Sequence, residues 1–209
     1  MKQSKLFFFK LFISFFFFVS LVGCGKSSPP PVIQQAIPSV SSVQEAPPPA
    51  EISSKPDKNG FLIYTNRTLG IQINFPQEWN IKNMIGSSMP FFFSPESSYA
   101  DPANLNILVK IVPPDASMTL GSFTQQSIDE MKKTLVDFKL IDSRATDLDG
   151  LLAHQVVYTG TSGPSHGQFL QIWALKNGKI YLLSFVGSVA SYGKFVKTAQ
   201  QMIETFKIL

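Results

Sequence analysis

The uneven distribution of phenylalanine and proline restricts the folded part of this 209-residue chain to the residues after position 57. Eight of its 19 Phe lie within the first eighteen positions, and eight of its 15 Pro lie between Pro29 and Pro56. A Pro- and Ser-rich stretch cannot bury enough apolar surface to offset its conformational entropy. We therefore expect an apolar N-terminal segment, a Pro-rich stretch and then one globular domain.

The N-terminal segment has the pattern of an export signal. Lys2, Lys5 and Lys10 make its beginning basic, and an uncharged apolar run of twelve residues extends from Leu11 to Val22. This run is shorter than the roughly 20 residues that a helix needs to span a bilayer. We therefore predict that residues 1–23 are a signal peptide and not a retained membrane helix.

Cys24 is the only cysteine, and its context Leu21-Val22-Gly23-Cys24 is similar to a bacterial lipobox. This similarity implies cleavage between Gly23 and Cys24 and a covalent diacylglyceryl group on the Cys24 thiol. Two or three acyl chains give stable membrane attachment. We therefore expect an exported protein anchored to membrane lipid on the periplasmic or other extracytoplasmic side, with the outer membrane as one option. Disulfides and cysteine-based sites are excluded from the mature domain.

The next segment, residues 24–57, is predicted to be the lipidated cysteine followed by a disordered tether. Its Pro triplets, Pro29-Pro30-Pro31 and Pro47-Pro48-Pro49, favour extended polyproline II structure. The globular domain is then predicted at residues 58–209. The formal charge of +4 includes three signal-peptide lysines, and 18 minus 3 leaves 15 basic residues against 14 acidic ones. Because the basic residues are also scattered, nucleic acid is not expected as a partner.

Alternating apolar residues predict strands in the domain. The clearest are residues 69–75 and 105–111, and in the latter Asn104, Asn106 and Lys110 are expected on the solvent side. Residues 168–175 and 179–186 flank Asn177-Gly178, which predicts a tight hairpin, and the second of these strands is apolar on both faces and should be central. Shorter candidates are residues 61–65, 91–94, 140–145 and 151–159.

Two helices are predicted from apolar residues at three- and four-residue spacing. The first begins at Ser122, where Gln125 completes a capping box, and runs to Leu140 with Leu135 and Phe138 on its apolar face. The second extends from Tyr192 to Phe206. Strands and helices in this order predict an α+β fold, an antiparallel sheet with helices packed on its faces.

The run Gly70-Ile71-Gln72-Ile73-Asn74-Phe75-Pro76-Gln77-Glu78-Trp79 resembles the opening of the PsbP-like domain family. The later elements follow in register, including Asp149-Gly150 before a strand and Glu204-Thr205-Phe206 at the close. The resemblance implies an αβα sandwich. With Cys24 it points to the bacterial lipoprotein branch, which is similar to cyanobacterial PsbP-type and DcrB-type lipoproteins.

The family resemblance implies a non-catalytic accessory protein that docks on a membrane or envelope complex, of photosystem II type if the organism is photosynthetic. The alternative is a periplasmic lipoprotein that binds a small ligand or a metal such as Zn²⁺ or Mn²⁺. The alternative metal ligands are His154 and His166, the only two histidines, and they are weak candidates.

Other chemistry finds little support in the sequence. There is no Gly-x-Ser-x-Gly elbow, no His-Glu-x-x-His run and no phosphate-binding glycine motif. We therefore expect no enzymatic activity, no nucleotide and no cofactor besides the lipid on Cys24.

An aromatic cluster is the candidate docking surface or apolar pocket. Its members are Trp79, Phe91, Phe92, Phe93 and Tyr99. Three consecutive Phe cannot all face one core in a strand, so some must occupy the other face of the sheet.

Overall fold

The computed structural model describes residues 50–83, 89–98, 101, 103–113, 117–163 and 165–209, and the described chain is built mainly of antiparallel strands. The predicted signal peptide, the lipobox and most of the predicted tether lie outside the described residues. The strands are β1 (Glu51–Ile52), β2 (Phe61–Asn66), β3 (Ile71–Pro76), β4 (Asn80–Asn83), β5 (Pro90–Phe93), β6 (Ala103–Ile111), β7 (Val136–Leu148), β8 (Leu151–Ser162), β9 (Ser165–Lys176), β10 (Lys179–Ser188) and β11 (Lys207–Ile208). The helices are α1 (Leu120–Thr134) and α2 (Val189–Glu204).

The larger sheet has seven strands in the order β4-β5-β6-β10-β9-β8-β7, and the smaller has the order β1-β2-β3-β11. Strand β10 is central, as its continuous apolar sequence predicts, and pairs with β6 and β9. The predicted β9–β10 hairpin is confirmed. Its turn residues Asn177 and Gly178 have φ values of 51° and 68°, the positive range that this tight turn requires.

The main core lies between the large sheet, helix α2 and the small sheet. Helix α2 buries Tyr192, Ala199 and Met202 against alternate side chains of the sheet, among them Ile172 and Leu183. Burial of these apolar surfaces is the main source of stability, at roughly 25 cal/mol per Å².

Helix α1 covers part of the opposite face of the large sheet. The Phe123 ring meets the Trp173 ring edge-on at a centroid distance of 5.6 Å. The Trp173 indole N–H donates to Thr124 Oγ1 over 2.9 Å. Because Ile172 and Trp173 are consecutive strand residues, they point to opposite faces. The helices therefore lie on the two sides of the sheet, which confirms the α+β fold and its αβα layering.

The predicted bounds of the first helix are wrong at both ends. The N-cap is Thr119, whose hydroxyl accepts from the Ser122 amide while Ser122 Oγ accepts from the Thr119 amide, so Ser122 is the third residue of the helix and closes the capping box. The helix ends at Thr134, and Leu135 is extended. Phe138, predicted on the helix, lies in β7 instead.

The predicted domain boundary at residues 57/58 lies too late in the chain. Glu51 and Ile52 pair with Thr65 and Tyr64 of β2, and the Ser53 amide donates to the Ile63 carbonyl. Pro48–Leu209 form one compact unit, and its core consists of described residues. We therefore expect residues 48–209 to fold without the preceding chain. Within the described ranges, no helix has the length and hydrophobicity to cross a membrane.

Candidate docking surface

The three consecutive phenylalanines of β5 are divided between the two faces of the large sheet. Phe92 is fully buried in the main core, where its ring lies 5.4 Å from that of Tyr64 and 5.3 Å from that of Phe75. Phe91 and Phe93 point to the opposite face and are only half-buried. The predicted division of this run between two faces is confirmed, and Phe92 is a core residue.

Trp79 also belongs to the core and not to a surface. Its amide donates to the Pro76 carbonyl over 2.9 Å, and this turn places the indole inside the domain. The ring contacts Phe195 of α2 edge-on at 6.0 Å. Tyr99, the remaining member of the predicted cluster, lies outside the described residues. The structure thus brings together only part of the cluster.

A surface patch remains on the second face, formed by Lys82, Phe91 and Phe93; we call it the aromatic patch. The two Phe rings are nearly parallel, with an interplanar angle of 17° and a centroid distance of 6.1 Å. Lys82, on the neighbouring strand β4, places its Nζ 5.4 Å from the centre of the Phe93 ring. This cation–π contact holds a positive charge beside a partly exposed apolar surface.

Polar side chains lie beside the aromatic patch. Asn104 and Asn106 are among them, and the prediction that they face solvent is wrong. Asn106 is opposite Phe91 and Asn104 is opposite Phe93, yet their exposed fractions are only 1% and 7%. Ser184 follows Asn106 across the sheet, and Gln171 donates to Ser184 Oγ over 3.1 Å. The burial of these polar residues was not predicted, because the alternation of apolar and polar residues identifies the two faces of a strand but does not show which face is covered.

The two histidines do not share a site. His154 lies in β8, and His166 is opposite Thr161, seven positions further along the same strand. Seven positions correspond to about 23 Å, and an odd separation places the side chains on opposite faces. One ion therefore cannot bind both imidazoles of one chain. Among the described residues, no group of three His, Cys, Asp or Glu could hold a metal ion.

His154 is the more enclosed histidine. Its Nε2 is 2.9 Å from Ser143 Oγ, and its ring stacks on Trp173 at 5.9 Å. A serine beside a histidine is the beginning of a nucleophile–base pair. The nearby carboxylate of Asp142, however, projects from the other face of β7, where it binds Arg144 and Gln155. It is therefore not placed to orient the imidazole.

The stability of the domain should depend on the protonation of His154. Burial lowers the pKa of His154 below its ordinary value, although the charge of Asp142 acts in the opposite direction. In the unfolded chain the pKa of His154 returns to about 6.5. At a pH between the folded and the unfolded pKa, the unfolded state therefore binds more protons than the folded state. Stability should therefore fall as the pH falls through about 6.5 towards the folded pKa.

Replacing His154 by Gln should flatten this pH dependence, because the amide is neutral throughout. Urea unfolding midpoints at neutral and mildly acidic pH would measure the effect. His166→Gln removes the other imidazole and is the control. An unchanged pH slope in His154→Gln would show that another group is responsible.

Comparison with known proteins decides the family. The family model described as PsbP-like protein matches residues 36–208. The chain belongs to the PsbP-like family. The resemblance noted in the sequence is thereby confirmed, and the match also includes residues 36–57 of the predicted tether. No curated protein matches the chain significantly.

Solved structures share the fold of this PsbP-like domain at low sequence identity. Cyanobacterial PsbP (CyanoP) from Synechocystis sp. PCC 6803 has a TM-score of 0.53 and 16% identity, covering 72% of this chain and 93% of its own. PA94 from Pseudomonas aeruginosa, described as a putative regulator, gives 0.52 and 16%, with 69% and 94% covered. LpqN, involved in cell envelope biogenesis of Mycobacterium tuberculosis, gives 0.52 and 14%, with 66% and 82% covered. At these identities the likeness concerns the fold alone.

Proposed function

We propose that this PsbP-like protein is a lipid-anchored, non-catalytic accessory protein that docks on a membrane or envelope complex. The aromatic patch is the observation that carries the proposal, because it presents two partly exposed rings and a cation on strands at the margin of the large sheet. Aromatic side chains are enriched where proteins bind one another.

The lipid anchor on Cys24 gives a weak docking surface a sufficient local concentration. The export signal and lipobox support this part of the proposal, and LpqN, which shares the fold, is involved in cell envelope biogenesis. A tethered domain binds its partner at an effective concentration set by the tether length. A photosystem II-type complex is the proposed partner if the organism is photosynthetic.

The chemistry of the aromatic patch suggests what its partner offers. Phe91 and Phe93 would bury their exposed edges against apolar side chains, and Lys82 would meet a carboxylate at the rim of the contact. Buried contacts of this kind contribute most of the binding energy of an interface, while rim charges mainly affect orientation and association rate. We therefore propose a protein surface with an acidic residue beside an apolar one.

Photo-crosslinking in the living cell tests the docking proposal. A photoreactive phenylalanine analogue at position 93 of the full chain should give one dominant crosslinked product. The combined change Phe91→Ser and Lys82→Ser should reduce that product at least tenfold, because it removes one hot-spot ring together with the rim cation. The analogue at Val189, an exposed position on α2, is the control site. Equal yield and identical products at both positions would contradict the proposal.

A further inference from the structure

The tether joins the domain at one identifiable end. Glu51 pairs with Thr65, near the end of β2, so the described chain begins beside the β2–β3 turn at residues 67–70. The last strand, β11, lies at the same end, because Ile208 pairs with Ile71 and the Leu209 amide donates to the Gly70 carbonyl.

Two further turns are at this end. Asp149, in the β7–β8 turn, accepts from the Ile208 amide and from Lys207 Nζ, each over 2.9 Å. The β9–β10 turn is adjacent, since the charge of Lys176 acts on Asp149. Strand β6 ends beside this second turn, where the Val112 amide donates to the Gly178 carbonyl over 2.7 Å. We call this region the tether end and define it by its outward basic and aliphatic residues: Ile52, Arg67, Ile111, Leu152, Lys176 and Lys179.

Basic residues of the tether end are placed where they repel one another. Lys176 and Lys179 are directly opposite in the β9–β10 ladder. Like charges in this position destabilise a sheet. Arg67 adds a further exposed cation on the β2–β3 turn. The negative charge of Asp149 interacts with Lys176 and offsets part of this repulsion, and an anionic partner would relieve the rest.

A cavity of about 290 Å³ opens between these lysines and the chain that follows β6. Val112, Met118 and Leu175 give it apolar walls, and the turn at residues 176–179 gives it a basic rim. A group with a negative head and an apolar body matches this arrangement.

The aliphatic residues of the tether end are unusually exposed. Ile111 and Leu152 have exposed fractions of 72% and 71%, the highest among the large hydrophobic residues that the structure describes. Ile111 is directly opposite Lys179, and Ile52 near the tether is itself half exposed. Exposed aliphatic residues beside basic ones are typical of surfaces that rest on anionic lipid.

We propose that the tether end lies on the anionic surface of the bilayer that holds the anchor. The proposal rests on the proposed lipidation of Cys24. As the disordered tether that the sequence predicts, residues 25–49 would span about 25–30 Å on average, which would keep this end near the bilayer. Phe91 and Phe93 lie five to seven strand positions from Ile111, or roughly 17–23 Å, so the aromatic patch would stand above the membrane, open to a partner.

Vesicle binding by residues 48–209 tests the surface without the anchor. The fragment should sediment with vesicles of phosphatidylcholine and phosphatidylglycerol but not with phosphatidylcholine alone. Lys176→Gln with Lys179→Gln should weaken binding about 25-fold, since each lysine near an anionic surface contributes about a fivefold factor. The matched control is Lys132→Gln with Lys133→Gln, on the exposed face of α1. Equal binding by the two variants, or no preference for anionic vesicles, would overturn the proposal.

A second measurement uses the full anchored chain. Either Ile111→Cys or Val189→Cys is labelled with an environment-sensitive dye in proteoliposomes. Val189 is 65% exposed and follows the end of β10 that is opposite to the tether end. Dye at position 111 should shift to the blue with anionic lipid, and dye at position 189 should not. Equal spectra would refute membrane contact by the tether end. One label per chain indicates that Cys24 is acylated, whereas two indicate a free Cys24 thiol, so failure of the anchor is recognised separately.

Discussion

Replacing Cys24 by Ser is expected to move nearly all of the protein from the membrane fraction to the soluble extracytoplasmic fraction. Serine cannot form the thioether, so both the diacylglyceryl group and the later N-terminal acyl chain are lost. Each buried methylene contributes about 0.8 kcal/mol, and two or three chains therefore account for essentially all of the membrane affinity. The contacts of the tether end with anionic lipid are reversible, so washing the membranes releases a domain that lacks the anchor.

Membrane fractionation with immunoblotting measures this redistribution, and the intact mass of the wild-type protein shows the acyl groups directly. Ser28→Ala, four residues after Cys24 within the same segment, is the control and should stay in the membrane. Unchanged retention of Cys24→Ser in the membrane, with an unmodified mass for the wild type, would refute the anchor.

Replacing Phe92 by Ala is expected to reduce the free energy of unfolding by about 3–5 kcal/mol. The Phe92 ring is fully buried against the rings of Tyr64 and Phe75, so its loss leaves a cavity between the large sheet and the small sheet. Phe91→Ala, one residue earlier in the same strand, removes a half-buried ring and should cost only about 1 kcal/mol.

Urea unfolding of the 48–209 fragment, followed by tryptophan fluorescence, compares the two variants. Both variants remove a phenylalanine ring from the same strand, so a difference in the free energy of unfolding reports that Phe92 lies in the core and Phe91 at the surface. Similar losses for Phe91→Ala and Phe92→Ala would contradict the division of β5 between two faces.

Much of the fold could be predicted because apolar and polar residues alternate in strands that are buried on one face, while the apolar run of β10 is continuous because both of its faces are buried. The hairpin at Asn177-Gly178 and the central position of β10 follow directly from local sequence. The short strands β1 and β11 have two residues each, too few for any period to be recognised, and only pairing with β2 and β3 reveals them. The omission of β1 placed the start of the domain too late.

The end of α1 could not be predicted from spacing alone. Leu135 and Phe138 continue the three- and four-residue pattern, yet the chain leaves the helix at Thr134. Asp137 adopts a φ of 55°, and β7 pairs with β8 through register shifts that insert extra residues near its start. Such bulges depend on the pairing with the partner strand, so they cannot be recognised from the spacing of apolar residues along the helix.

The candidate docking surface was only partly predictable, for a related reason. The run Phe91–Phe93 shows that two faces are used, but the sequence does not show which ring meets Tyr64 and which meets Lys82. Asn104 and Asn106 look solvent-facing in the alternation of β6, and they are buried because that face is also covered. Whether a face of the sheet is covered depends on tertiary packing, and the local pattern of apolar and polar residues does not show it.

We propose that this PsbP-like protein serves a larger membrane or envelope assembly, and this role can be tested directly. Its most direct test is affinity purification of the tagged, full-length chain from gently solubilised membranes, with quantitative mass spectrometry of the proteins that co-purify. A stoichiometric membrane complex should co-purify with the wild-type chain, and it should be lost when Phe91 and Phe93 are both replaced by Ser. Purification of the wild-type chain alone would contradict it.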